Sequence, residues 1–224
     1  MMHFNPFVYV KFIVGRLKPW NKRLAAKEQA AVGEDSFGET GLKLAMLGRL
    51  KEAVESFQQA EAQGLGSSPM LYYNWGLALS HLGNHGEAIE KYRRAIALDS
   101  ACVDAMVNLG VSLATQGRYN EALERYKQAA EISGDDAALF FNWGAGLMQL
   151  GKLIEASEMF EKAVKFSPAD PQAHYNLAIC LRKLGRNEET AEHLKIFVEM
   201  ARTRFPQQVQ RARELLELME QDRL

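Results

Sequence analysis

Cysteine is nearly missing from this chain: Cys102 and Cys180 are the only two in 224 residues. Two thiols do not make a disulfide framework, and a reduced, cytoplasmic setting is the plain reading. Proline is scarce as well, at six residues, which suits a soluble helical protein. There is no excess of one charge. Lys and Arg total 27 against 28 Asp and Glu, a net charge of −1, so nothing pulls the chain generally toward nucleic acid. A membrane-crossing run is also lacking. The apolar stretch Phe7 to Val14 is eight residues and contains Lys11, against the roughly 20 needed to span a bilayer. It makes a poor secretory signal too, because no basic region precedes it and no clear cleavage site follows. No P-loop, GxGxxG, HExxH or GxSxG motif occurs. His81 and His85 are four apart, but Gly83 and Asn84 lie between them, so they share no helical face and read as surface residues of a turn. No Cys or Glu completes a metal-ligand set around them. The expectation is a protein without cofactor or metal, and not an enzyme.

What the chain does have is a strong internal pattern. In Pro69 to Ser100, Tyr72, Trp75, Gly76 and Leu79 fall three or four apart, which is one helical face. Gly83 and Gly86 interrupt it. Ala88, Tyr92 and Ala95 then share a second face. Two short helices around a turn cannot bury their own apolar surface, so the unit should have copies.

The copies are there. Gly41, Gly76, Gly110, Gly144 and Ala178 follow at spacings of 35, 34, 34 and 34. Seven residues after each comes Gly48, Gly83, Gly117, Gly151 and Gly185. A small residue recurs as Ala53, Ala88, Ala122 and Ala156, with Thr190 the exception. A large one recurs as Phe57, Tyr92, Tyr126, Phe160 and Leu194, and Ala60, Ala95, Ala129 and Ala163 give way to Phe197. The segments NWGLALSHLGNHGEAIEKYRRA, NLGVSLATQGRYNEALERYKQA and NWGAGLMQLGKLIEASEMFEKA carry a resemblance to the tetratricopeptide repeat family. It covers roughly residues 34–204. The resemblance implies an all-α, right-handed superhelix, an α-solenoid of about five helix-turn-helix repeats.

The expected organisation is an arm over 1–33, repeats at 34–67, 69–102, 103–136, 137–170 and 171–204, and a capping helix in 205–224. Ser68 before Pro69, Asp170 before Pro171, and Asp136 before Ala137 are expected helix starts. In the last segment Val209, Ala212, Leu216 and Met219 share a face, with Leu215 and Leu218 beside it, which suits a helix sealing the open end.

Charge is uneven along the chain. Residues 1–30 hold six basic side chains against Glu28, so the arm is +5 and the remainder −6. Phe7, Tyr9, Lys11, Phe12, Arg16, Lys18 and Trp20 give it aromatic rings beside cations, a mixture suited to a membrane interface. It equally suits an arm that covers the first repeat, pairs with another subunit or occupies the groove. Peripheral membrane contact, docking to a protein complex or homo-oligomer, and simple disorder all stay open.

In the resembled family the first helices line a concave groove. The residue two before the Gly anchor is Asn74, Asn108, Asn142 and Asn176, with Glu39 breaking the series. An amide both donates and accepts, so a ladder of them can grip the backbone of an extended peptide. Asn at this place also bonds between neighbouring repeats in such proteins. Beside the amides lie Tyr73 and Leu77, Val107 and Val111, Phe141 and Ala145, and Tyr175 and Ile179, either an apolar groove floor or packing between repeats. Arg182 and Lys183 add positive charge toward the last repeat. Family members that clamp a chaperone's terminal carboxylate use Lys and Asn where this chain has Gly38, Leu42, Val107 and Val111, which argues against that ligand. His174 falls where other copies have Tyr72, Met106 and Phe140 and is expected to be packed, while His193 has no evident partner. The resulting expectation is an interaction scaffold that holds a partner's peptide or helix. Its alternative is a structural subunit that self-assembles or docks through the arm.

Overall fold

The computed structural model describes residues 37–64, 68–201 and 204–221. The arm residues Phe7 to Trp20 lie outside that set. Among the described residues there are eleven α-helices and no strand. They are α1 Phe37–Met46, α2 Leu50–Ala62, α3 Pro69–His81, α4 His85–Leu98, α5 Val103–Thr115, α6 Tyr119–Ile132, α7 Ala137–Gln149, α8 Leu153–Phe166, α9 Pro171–Lys183, α10 Asn187–Met200 and α11 Pro206–Gln221.

The helix starts follow from their caps. Ser68 Oγ accepts from Leu71 N at 3.4 Å, ahead of Pro69. Asp136 accepts from Ala138 N and Leu139 N, and Asp170 from Gln172 N at 2.9 Å. Each cap supplies an acceptor to backbone donors that the first turn leaves unbonded. The hairpin turns depend on a backbone conformation that only glycine adopts cheaply. Gly83 has φ +82°; its N–H donates to Ser80 O, and the Asn84 N–H reaches back to Leu79 O. This six-residue closure satisfies two carbonyls at the helix end. It recurs at Gly48, Gly117, Gly151 and Gly185.

The chain divides into two units, split between Ile132 and Ser133. In the first, α1 pairs with α2, α3 with α4 and α5 with α6, and successive hairpins stack. The first helix of each hairpin approaches its partner over a glycine. Phe57, Tyr92 and Tyr126 rings lie against Gly41, Gly76 and Gly110, and all three rings are buried. In the second unit α7 pairs with α8 and α9 with α10. There α11 lays Val209, Ala212 and Leu215 on a cluster that includes Ala178, Leu194, Phe197, Ala201 and Phe205. Leu218 stays outside, 53% exposed. The buried stripe of α11 is therefore rotated from the expected one, with Leu215 in the core and Leu216 only partly buried.

Candidate functional site

The residues singled out on the first helices belong to four elements, two in each unit. On α3, Tyr73 and Leu77 are buried and Asn74 is half-buried. The Tyr73 ring tilts against Tyr92 with centroids 6.3 Å apart. The Asn74 amide has no hydrogen-bond partner among the described residues. On α5, Val107 and Val111 are buried and Asn108 is half-buried. Asn108 Nδ2 donates to Asp104 O at 2.9 Å and to Tyr73 Oη at 3.4 Å. One member of the expected ladder thus ties α5 to α3.

In the second unit, Phe141, Asn142 and Ala145 of α7 are buried. Phe141 meets the Phe160 ring edge-on at 5.7 Å. Asn142 is 3% exposed, and its Oδ1 is buried without a hydrogen-bond partner. On α9, Asn176 is buried, and Tyr175 and Ile179 are half-buried against the terminal cluster. The Tyr175 ring lies 4.8 Å from Phe197, and burial pushes its phenol pKa up. Arg182 and Lys183 are exposed. The apolar members therefore all contribute to packing within their own unit; Asn74, Asn108, Tyr175 and Ile179 are partly open, and Arg182 and Lys183 are exposed.

Three histidines depart from expectation. His81 and His85 are half-buried rather than surface residues. His81 Nε2 and His85 Nδ1 are buried without hydrogen-bond partners. The next hairpin turn lies alongside them: a Cβ on Gly86 would stand 3.8 Å from Gln116 Nε2. Burial lowers the pKa of both rings. His174 is buried as expected, but His193 does have a partner. The two Nδ1 atoms are 2.9 Å apart.

Polar chemistry that the sequence pattern does not reveal sits inside the first unit. Ser80 Oγ is 3.2 Å from both Tyr92 Oη and Ser112 Oγ, all buried. Serines at 80 and 112 within first helices are its only sequence signal. Burial pushes both thiols, Cys102 and Cys180, up to about 12, which disfavours the reactive thiolate. Among the described residues no three His, Cys, Asp or Glu side chains are placed to hold a metal. No helix among them is long and apolar enough to cross a membrane.

Similarity to known families covers most of the described chain. A family model described as tetratricopeptide repeat matches residues 39–101 and 73–137. A second, described as TPR repeat, matches 144–185. Similar solved structures include MamA 41-end from Desulfovibrio magneticus RS-1, with TM-score 0.69 and 20% identity over 77% of this chain and 98% of that one. YrrB, titled a TPR protein with an unusual peptide-binding site, gives TM-score 0.66 and 20% identity over 87% and 98%. TTC0263, a thermophilic TPR protein in Thermus thermophilus, gives 0.62 and 20% over 82% and 99%. At these identities the likeness shows the fold alone. No curated protein sequence matches the chain.

Proposed function

The chain belongs to the tetratricopeptide repeat family, and from that premise we propose a non-catalytic scaffold that binds a peptide or helix of a partner protein along its first helices. The fold is that of a protein-interaction scaffold in general. Asn74 carries the finer reading. Its amide is half-buried, beside Tyr73 and Leu77, and uncommitted to any group among the described residues. Such an amide offers one acceptor and two donors to an extended backbone. Asn108 stands at the same place on the next first helix with both donors of its amide nitrogen already used, which leaves its carbonyl oxygen for a ligand N–H. YrrB is described as a TPR protein with an unusual peptide-binding site; peptide binding by this chain is our extension of that likeness. Asn142 and Asn176 are buried, so within this reading the contact to the peptide rests on Asn74 and Asn108. Within this reading the cytoplasm is the setting, and the arm over 1–33 supplies a second contact to a complex or a membrane surface.

The test uses peptides selected by display on the full chain. Asn74→Ala should weaken the selected peptides about tenfold, the equivalent of one net hydrogen bond at ~1.4 kcal/mol, with helicity unchanged. Equal affinity of both proteins for every selected peptide rejects the reading.

A further inference from the structure

His174 of α9 and His193 of α10 face each other in the last hairpin. Their rings are 5.1 Å apart at 39°, and His174 is 4% exposed. His174 Nε2 is also 3.0 Å from the carbonyl of Pro168, in the α8–α9 connection. A carbonyl only accepts, so Nε2 of His174 carries a hydrogen. In the neutral ring its Nδ1 is then an acceptor. The hydrogen in the 2.9 Å bond between the two Nδ1 atoms must come from His193, whose Nε2 remains the one free basic nitrogen of the pair. A first added proton goes to that atom and disturbs neither bond. A second has only His174 Nδ1 to occupy. Two N–H groups would then point at each other, and two cations would stand in contact.

We propose that His174 and His193 form a one-proton clasp: it joins α9 to α10 in the last hairpin with none or one added proton, and the contact between the rings opens when both imidazoles are charged, while His174 Nε2–H stays on the Pro168 carbonyl.

The repeat supplies an internal control. Three periods earlier the same two places hold Tyr72 and Lys91. Lys91 Nζ lies 5.6 Å from the Tyr72 ring centroid. Tyr72 Oη donates to Glu61 at 2.7 Å, and Lys91 pairs with the same carboxylate. Lysine is a residue type that stays charged near neutral pH. The second hairpin therefore has a lysine where the last one has an imidazole.

Other charges bear on the pair from each packed element. Burial, and then the facing His174, hold the His193 pKa below its ordinary value; Glu192 and Glu189 of α10 favour its charge, and Arg186 in the turn opposes it. Arg186 is itself held by Glu189 and by Glu161 of α8. The Asp170 carboxylate, which caps α9, senses His174 and Arg204. On α8, Lys162 and Lys165 lie over the Phe140 and Phe166 rings. The α7 helix has no ionisable side chain, and Arg211 of α11 acts on Tyr175. Because the two rings interact strongly, their protons belong to the pair, and two macroscopic steps are expected.

The experiment follows imidazole nitrogens by NMR in the full chain from about pH 8 to about pH 4.5, with amide-exchange protection factors for α9 and α10. The expected result is a His174 Nε2–H tautomer at neutral pH, two separated steps, and an about tenfold loss of protection with the second step. His193→Gln keeps a donor toward His174 without a second titratable ring, and should hold protection across the same range. The double variant His174→Tyr with His193→Lys, which copies the second hairpin, should do the same. Independent titration of the two rings overturns the proposal. So does equal acid loss of protection in His193→Gln and the natural chain.

Discussion

Gly76 of α3 lies so close under Tyr92 of α4 that a Cβ at position 76 would stand 2.7 Å from Tyr92 Cε1. Tyr92 is fully buried, so its ring has no room to retreat. Gly76→Ala should cost about 1–3 kcal/mol through overpacking. Gly86, ten residues on in the same hairpin, meets only Gln116 Nε2 at 3.8 Å. There alanine is expected to be neutral or to stabilise by about 0.5 kcal/mol, because glycine loses more freedom on ordering. Urea unfolding of the two variants reads this as opposite signs. Equal effects would show that the ring gives way.

That position 76 must be small and position 92 large was legible in the sequence, because both residues recur at one period; that the ring rests on the glycine is shown by the fold. Burial of a particular copy was not legible in the same way. Tyr73 and Leu77 sit on the expected helix, yet whether such a position is open depends on what stacks beside it. The Asn108 amide is occupied because position 73 happens to be a tyrosine with a hydroxyl to accept its hydrogen. His81 and His85 read as surface turn residues because their turn is local, whereas the fold leaves both half-buried, and Gln116 of the following hairpin stands beside Gly86. His193 looked solitary because its partner lies 19 residues away on the antiparallel helix. In each case local periodicity placed the backbone, and nonlocal packing set the environment of the side chain.

The buried hydroxyls of Ser80, Tyr92 and Ser112 form a chain from α4 through α3 to α5. Burial pushes the Tyr92 phenol pKa well up, so it stays a neutral partner. Ser80→Ala alone strands the Tyr92 hydroxyl and should cost about 1–3 kcal/mol. In a Tyr92→Phe background the same change strands nothing on that side and should cost less. A double-mutant cycle is expected to give a coupling of about 0.5–1.5 kcal/mol. Strict additivity would mean that the 3.2 Å contact contributes nothing.

His81 and His85 make the first unit sensitive to acid. Burial holds both rings below the ordinary value of 6.5, so the unfolded chain takes up these protons first. Their contribution to stability is fully present above about pH 6.5 and is lost as pH falls from there toward the folded values. Asp170 works in the opposite direction, since burial raises its carboxyl above 3.8, and it matters only at lower pH. Replacing both histidines by glutamine should flatten the fall in Tm between about pH 7 and about pH 5. A fall as steep as that of the natural chain would assign the acid sensitivity elsewhere, with the His174–His193 pair the first place to look.

The seal made by α11 distinguishes two leucines that its sequence places on one flank. Leu215 is 8% exposed and joins the cluster with Phe197 and Phe205, whereas Leu218, three residues on, is 53% exposed. Leu215→Ala removes most of a buried side chain and should cost about 2 kcal/mol or more. Leu218→Ala should stay within about 0.5 kcal/mol. In a repeat protein each element is stabilised mainly by its neighbours, so the loss should appear locally, as faster amide exchange in α10 and α11 with α3 and α4 unaffected. Faster exchange throughout the chain would show that the two units unfold as one cooperative body, and an effect of Leu218→Ala equal to that of Leu215→Ala would mean that the helix seats a different face.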